Sequence, residues 1–457
     1  MSKHQAPGAP EPTRLDPIVK DMLLLAKKAG AEHAEAILVE SRNLSVSVRE
    51  GEIEDVESSE TQDLGLRVLI GQQQSCVSSS DLSKIGLQKM AERACAMAAQ
   101  APEDPYCGLA DAGQLAKTKA DAELQLFDPA EIDLDGLTHR ALAAEAAALA
   151  ISGINLPATA SASWTIGAVA HRTSNGLHRS RINSFHGTSV MALAERDGSM
   201  ERDWAQTSAR WLEDLREPDD IGLEAGTRTI NRLGAVKGAG GTMAVLFEPR
   251  TAKSLLGMFL GSITGSSVAR GVSFLKDHMD QLVFDQNIQI IEDPFRLRGS
   301  SSGHMDSEGL ARQSRHLIEN GKLTSWIHNL ASARQLDQAP TGHGAVGIGS
   351  PPSTRLSNVY LAAGIKTPEQ LMAELGNGLV VTDAFGASFN GGTGDWSVGI
   401  AGYRFVGGAR AEPFSEMTAA GNMLDIFKSL IPASDLKFED STETPSLLVP
   451  ELAVAGQ

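Results

Sequence analysis

Between Leu379 and Asn422 the chain reads LVVTDAFGASFNGGTGDWSVGIAGYRFVGGARAEPFSEMTAAGN. A β-branched run, Val380-Val381-Thr382, predicts a strand entering a core. The turn Asn390-Gly391-Gly392-Thr393-Gly394-Asp395 follows. Trp396, Val398 and Ile400 then alternate with Ser397, Gly399 and Ala401, so one face of the next strand is bulky and the other small enough to lie against another backbone. Gly407-Gly408 predicts a two-residue hairpin into a further strand. Glycine in strands carries an entropic penalty. Two readings of the stretch stand side by side. One is a tightly turned antiparallel sheet with Trp396, Val398 and Ile400 in its core. The other is a sheet whose backbone amides approach an extended ligand such as a peptide.

The rest of the chain bounds the setting. Its 457 residues suffice for two or three domains, and 42% hydrophobic with 21% charged residues is ordinary for a globular protein. A formal charge of −17 argues against non-specific binding to nucleic acid or to an anionic membrane. No apolar run approaches a membrane span. The opening MSKHQAPGAPEPTRLDP has no apolar h-region and reads as a disordered lead over residues 1–15. Cys76, Cys95 and Cys107 have no paired spacing for a disulfide framework or a CxxC site, and Cys95 reads as a packing residue. The expected compartment is the cytoplasm.

Read in order, Asp16-Pro17 predicts the N-cap and first position of a helix that stops at Gly30. Strand patterns follow at 34–40, 44–49, 52–58, 64–70 and 75–79. A helix over 81–100 carries Ile85, Met90, Ala94 and Met97 as its apolar stripe. An alanine-rich helix is predicted over 132–152, with strands at 161–169, 177–185, 188–195 and 200–211 joined at Asn175-Gly176 and Asp197-Gly198. A further helix spans 221–233. Gly238–Gly241 breaks the chain, dividing it into a mixed α/β domain over 16–237 and a β-rich domain over 238–457. In the second domain, Met243–Phe247 reads as a strand and Pro249 starts a helix. Gly257, Gly261 and Gly265 leave one face of that helix bare for helix packing or a subunit contact. The sum is an α+β fold with a mainly antiparallel C-terminal domain.

Residues with chemistry are scattered. None of the eleven histidines is followed by Glu, so there is no HExxH or HExxxH helix. A metal held by dispersed residues would draw on His304, Asp306, Glu308 and His343, although the ordinary reading of Asp306 and Glu308 is an exposed acidic loop. His171 and His178 flank a turn and are placed to approach each other. Asp383 and Asp395 flank the glycine turn and read as caps for its amides. Arg202-Asp203 reads as a surface or sheet-edge pair.

Ten segments in order resemble the TldD/PmbA family of metalloprotease-related proteins, and within it the PmbA (TldE) branch. They are REGEIEDVE at 49–57, SSSDLS at 78–83, PEDPYCGLAD at 102–111, GSMERDWA at 198–205, DSEG at 306–309, PTGHG at 340–344, GLVVTD at 378–383, TGDWSVGIAGY at 393–403, EMTAAGN at 416–422 and the terminal LLVPELAVAGQ. The resemblance implies a mixed α/β domain followed by a mainly antiparallel one. TldD-type members carry HExxxH on a helix and a C-terminal cysteine, which bind zinc; PmbA-type members lack them. The family pairs the two types as a heterodimer around a chamber for unfolded peptides, with roles in maturing a peptide antibiotic and degrading an antitoxin.

Laid without a gap on the catalytic helix of the zinc-bearing type, Met243–Gly257 puts Glu248 and Lys253 where the two histidines belong and Pro249 where the catalytic Glu belongs. An ammonium has no lone pair to give a metal, and proline has no group to activate a water. No His lies between His186 and His278, and no Cys follows Cys107. The resemblance therefore implies a non-catalytic subunit that binds no metal itself, beside a TldD-like partner carrying the zinc. It would offer sheet edges or the backbone of Gly391, Gly392, Thr393, Gly394 and Asp395 to an extended peptide. The alternatives are an independent metallopeptidase built on the dispersed residues, and a peptide-binding scaffold with no protease partner.

Overall fold

The computed structural model describes residues 12–117 and 121–456. Residues 1–11 of the expected lead lie outside it. The N-terminal half is α1 (Pro12–Lys28), β1 (His33–Arg49), β2 (Glu52–Ile70), β3 (Gln73–Ser79), α2 (Lys84–Ala98), α3 (Leu134–Leu149), β4 (Thr159–Thr173), β5 (His178–Arg196), β6 (Ser199–Ala209) and α4 (Pro218–Ile230). Its six strands form one sheet in the order β3-β2-β1-β4-β5-β6, every neighbouring pair antiparallel.

The alternation that predicts these strands also orients them. Even-numbered residues of β1 and β4 point to one face. There Leu38 and Ala168 pack under α1 and α2, while Leu44, Val46 and Trp164 pack under α3 and α4. Glu40 fills the gap between the two helix pairs, held by Arg14, Arg42 and Gln62. Odd-numbered residues, among them Glu35, Arg67 and His171, face the second domain. Both outer strands have open edges. β3 pairs only with Leu64–Ile70, so the Glu52–Gln62 part of β2 has a free edge, dense in acidic side chains. Among the described residues β6 pairs with β5 alone.

The second half runs β7 (Gly241–Phe247), α5 (Pro249–Ser262), α6 (Gly265–Ala269), β8 (Ile290–Asp293), β9 (Arg315–Glu319), β10 (Lys322–Leu323), α7 (Leu330–Gln335), β11 (Gly344–Ala345), β12 (Ser353–Thr354), β13 (Asn358–Leu361), α8 (Pro368–Leu375), β14 (Asn377–Phe389), β15 (Asp395–Val406), β16 (Ala409–Asn422), α9 (Met423–Ser429), β17 (Ile431–Pro432), β18 (Thr442–Glu443) and β19 (Leu447–Ala455). The main sheet has the order β16-β15-β14-β7-β19-β17, and β16 also pairs with β19, so the sheet curls back on itself. Trp396, Val398 and Ile400 lie in the large core that also holds α5 and α9. Leu246, Val380 and Phe405 face the other way, under α8. A smaller sheet, β10-β9-β8-β13-β18, packs beside them. The whole is the α+β fold expected.

Local details depart from the sequence reading for physical reasons. Asp16 is no cap: α1 begins at Pro12, Leu15 is buried, and Asp16 pairs with Arg172 at 2.7 Å from within the helix. Residues 12–15 are therefore helix rather than lead. The strand patterns at 34–40 and 44–49 form one strand, as do 52–58 with 64–70 and 177–185 with 188–195. In α2 the buried stripe is Leu87, Met90, Ala91, Ala94, Cys95 and Ala98, while Ile85 is 68% and Met97 48% exposed. Among the described residues nothing meets the bare glycine face of α5: a Cβ on Gly257 or Gly261 would meet open space, whereas one on Gly265, in α6, would overlap the His328 ring.

One close approach matters for the site, because α4 carries Glu224 and Arg228. Gly222 sits where a Cβ would overlap the Ala144 carbonyl oxygen of α3. Gly222→Ala is expected to push α4 off α3 and to destabilise the fold by about 1–3 kcal/mol, read as a lowered unfolding midpoint.

Candidate functional site

β7 ends at Phe247 inside the core, and Pro249 starts α5 with its fixed φ and missing N–H at the position where helices tolerate both. Glu248 is the N-cap, and its side chain caps nothing. This junction opens into a cavity of about 670 Å³. The floor is the α8-facing side of the main sheet, with Leu246, Val380 and Tyr403. One wall is the β6 edge from Trp204 to Ser208 backed by Glu224 and Arg228 of α4. The opposite wall is Met372 of α8 with the segment from Asp435 to Ser446. Glu248, Pro249 and Lys253 all line it. The structure thus brings together the three positions that the sequence singled out.

The chemistry at this junction does not suit a metal. Lys253 Nζ donates to Asp440 and lies 2.9 Å from carboxylate oxygens of both Asp440 and Glu443. Burial alone would lower its pKa, but the bonds to Asp440 and Glu443 raise it above the usual lysine value. The group is a fixed ammonium, with neither a lone pair for a cation nor capacity as a base. Pro249 offers no donor atom. Glu248 is the single carboxylate of the three, and burial pushes its pKa up. Zinc does not fit this donor set.

The β6 wall is held by ions. Asp203, 4% exposed, takes two bonds from Arg250 of α5, at 2.7 and 3.2 Å. Arg250 also donates to the Thr382 carbonyl of β14 at 2.7 Å. Arg232 lies between Glu201 at 3.2 Å and Asp383 at 2.9 Å. Burial would raise the Asp203 pKa, but Arg250 and Arg232 bring it below the usual aspartate value. Asp203 is therefore a buried tie between domains, not a surface pair, and Asp383 joins it instead of capping the glycine turn.

The same contacts orient the edge. The Trp204 carbonyl accepts from Arg250, and its N–H donates to the Asp203 carboxylate, so its backbone groups face away from β5. Alternation along an antiparallel strand turns those of Gln206 and Ser208 the same way. Neither has a backbone partner on that side among the described residues.

The glycine-rich turn is elsewhere. Gly391, Gly392, Thr393, Gly394 and Asp395 line no part of the cavity. Asp395 accepts from the Thr393 hydroxyl at 2.7 Å and from Asn422 at 3.2 Å, which together lower its pKa, and the Gly391 carbonyl accepts from the Phe274 amide. The turn is a self-bonded corner of the sheet, away from this cavity.

The dispersed set does not assemble either. His304 lies 3.2 Å from Glu123. His343 bonds Glu292 at 2.8 Å and Thr341 at 2.7 Å. Asp306 accepts the amides of Glu308, Leu310 and Gly344, and Glu308 accepts the amide of Leu330. Asp306 and Glu308 are 1% and 7% exposed, the reverse of an exposed acidic loop. His171 and His178 sit on adjacent strands but turn to Glu35 and Asp16. Among the described residues no three His, Cys, Asp or Glu side chains are grouped to hold a metal. No helix there is long and apolar enough to cross a membrane.

The β6 edge, the Glu224/Arg228 wall and the Asp440/Glu443 pair were not singled out from sequence as parts of one site. The GSMERDWA segment at 198–205 was the available signal, since it carries Asp203 and Trp204.

Comparison with known proteins places the chain. Residues 34–98, 127–233 and 240–456 match the models of PmbA/TldA metallopeptidase domain 1, central domain and C-terminal domain. The chain is 34% identical to the metalloprotease PmbA of Escherichia coli O157:H7 over 429 residues, 93% of each chain. It shares its fold with TldE from Thermococcus kodakarensis (TM-score 0.82, 17% identity, 96% of this chain and 100% of that one). It likewise shares it with a Bacteroides thetaiotaomicron protein (TM-score 0.89, 22% identity, 96% of this chain and 98% of that one). With three family domains matched in order and a relative at that identity over nearly its whole length, the chain belongs to the PmbA/TldD metallopeptidase family, on its PmbA (TldE) branch.

Proposed function

We propose that this chain is the non-catalytic, peptide-holding subunit of a two-subunit zinc metallopeptidase that works on unfolded peptides in the cytoplasm. The observation that carries the reading is the Lys253 ammonium, fixed between Asp440 and Glu443 where the zinc-bearing type would place a histidine. A TldD-like partner supplies the zinc, which polarises the scissile carbonyl and activates water. This chain's own part is to hold the substrate extended. The free amides and carbonyls of Gln206 and Ser208 add a strand of peptide to the β6 edge, over a floor of Leu246, Val380 and Tyr403. The ion pairs of Arg250 keep that edge at a fixed distance from α5.

The test is to purify the chain and the zinc-bearing homologue, then measure metal content, association and peptidase activity apart and mixed. The expected result is no stoichiometric zinc in this chain, and a complex with one copy of each that cleaves an unfolded peptide. Cleavage by this chain alone would refute the reading. Peptide binding with no complex would favour a scaffold instead.

A further inference from the structure

The cavity lining holds more carboxylates than cations, and nearly every buried charge in it is already matched. Glu224 bonds both Arg216 and Arg228 at 2.7 Å. Lys253 is held by Asp440 and Glu443. Arg250 is held by Asp203. Asp435 accepts from Ser446 at 2.8 and 2.7 Å. Arg410, outside the lining but close enough to act on Glu248, lies over the Tyr403 ring at 4.0 Å.

Beside Arg228, whose Nη1 is buried with no hydrogen-bond partner, Glu248 is the exception. It is half-buried, it lines the cavity, and its carboxylate makes no hydrogen bond or ion pair with any described residue. Its neighbours Arg228, Arg250 and Arg410 act on it through space without touching it, each being engaged elsewhere. Exposed Glu369 and Glu439, with Lys437, stand among the lining residues nearer solvent. A desolvated carboxylate left without a partner is a standing penalty that a bound donor would remove.

The geometry points to Glu248 as the receptor for an alkylammonium group of the bound peptide, either its N-terminal amine or a lysine side chain. This rests on the proposed peptide-holding role and gives it a substrate class. Glu248 lies two residues before Arg250, whose guanidinium touches the Trp204 carbonyl at the start of the free stretch of β6. Gln206, Ser208 and Glu248 line the same cavity, and an ammonium on a strand added to that edge would supply the missing charge-assisted bond.

The test uses the full chain and fluorescence anisotropy with three short unstructured peptides labelled at the C-terminus. One has neutral side chains and a free N-terminus, the second is its N-acetyl form, and the third is the N-acetyl form with one interior lysine. Wild type is expected to bind at least one of the cationic peptides about tenfold more tightly than the neutral one, a difference of about 1.4 kcal/mol. Glu248→Gln, nearly isosteric, is expected to abolish the preference. Whichever cationic peptide carries the preference identifies the amine. Equal binding of all three by wild type, or a preference that survives Glu248→Gln, overturns the inference. Gln206→Pro separates the two levels: if all three peptides bind equally and all are lost in Gln206→Pro, the edge reading stands and the ammonium receptor falls. Binding of none of the three removes both.

Discussion

Asp203→Ala is expected to destabilise the protein by about 3 kcal/mol, near the lower end of the range for removing one partner of a buried ion pair, because both arginines keep some solvent. Arg250 loses a two-bond partner and Arg232 a nearby charge, and the Trp204 amide loses its acceptor. The sign of its pH dependence follows from the depressed Asp203 pKa. The stabilisation is present above the ordinary aspartate value of 3.8 and is lost as pH falls through the lower folded value. Wild type and variant should therefore converge in acid, as read from urea unfolding at a series of pH values. A second readout tests the site. With Arg250 released, the β6 edge loses its fixed spacing from α5, and peptide affinity should weaken even at temperatures where the variant is fully folded. A variant with wild-type stability across the range would mean that Arg250 is held by Thr382 alone.

Glu308→Gln is expected to act in the opposite direction. Burial, and next the Asp306 carboxylate, push the Glu308 pKa up to about 8, against 4.5 for an ordinary glutamate. Between those values the folded chain keeps a proton that the unfolded chain releases, so stability falls as pH rises from 4.5 towards 8. At about 1.4 kcal/mol per pH unit, the penalty is about 3 kcal/mol at pH 7. Glutamine holds no such proton, and its carbonyl can accept the Leu330 amide as Glu308 does. The variant should be more stable than wild type at neutral pH and level with it near pH 4.5. Thermal unfolding at both values decides the matter. Equal midpoints throughout would show that Glu308 ionises without penalty.

Both effects depend on contacts that sequence patterns do not carry. Local signals served well where the backbone itself was the constraint. Asp197-Gly198, Asn320-Gly321 and Gly407-Gly408 each close a hairpin with both residues at positive φ, as their side chains allow. Thr367 and Gln370 form a capping box at the start of α8. Strand length was harder to read, because the interrupting polar residues are satisfied across the sheet: Asn43 accepts from Thr165, more than a hundred residues away. Burial of charge was harder still. Asp306 and Glu308 look like an exposed loop until the odd face of the N-terminal sheet is placed over them. Lys253 gives no local hint that Asp440 and Glu443 will hold it. At the site, the family motif located the junction at Glu248, but the β6 wall required the two domains to be docked.

The two open strand edges of the N-terminal sheet differ in how they would treat a stray chain. Along the free edge of β2, Glu52, Glu54, Asp55, Glu57 and Glu60 set like charge against like charge whenever two copies approach edge to edge. That edge defends itself against self-association. The Trp204–Ser208 stretch of β6 has no charge of its own to do the same. Its protection is architectural: it faces the cavity floored by Leu246, Val380 and Tyr403 rather than open solvent. Recession lets such an edge stay adhesive without making the protein aggregate.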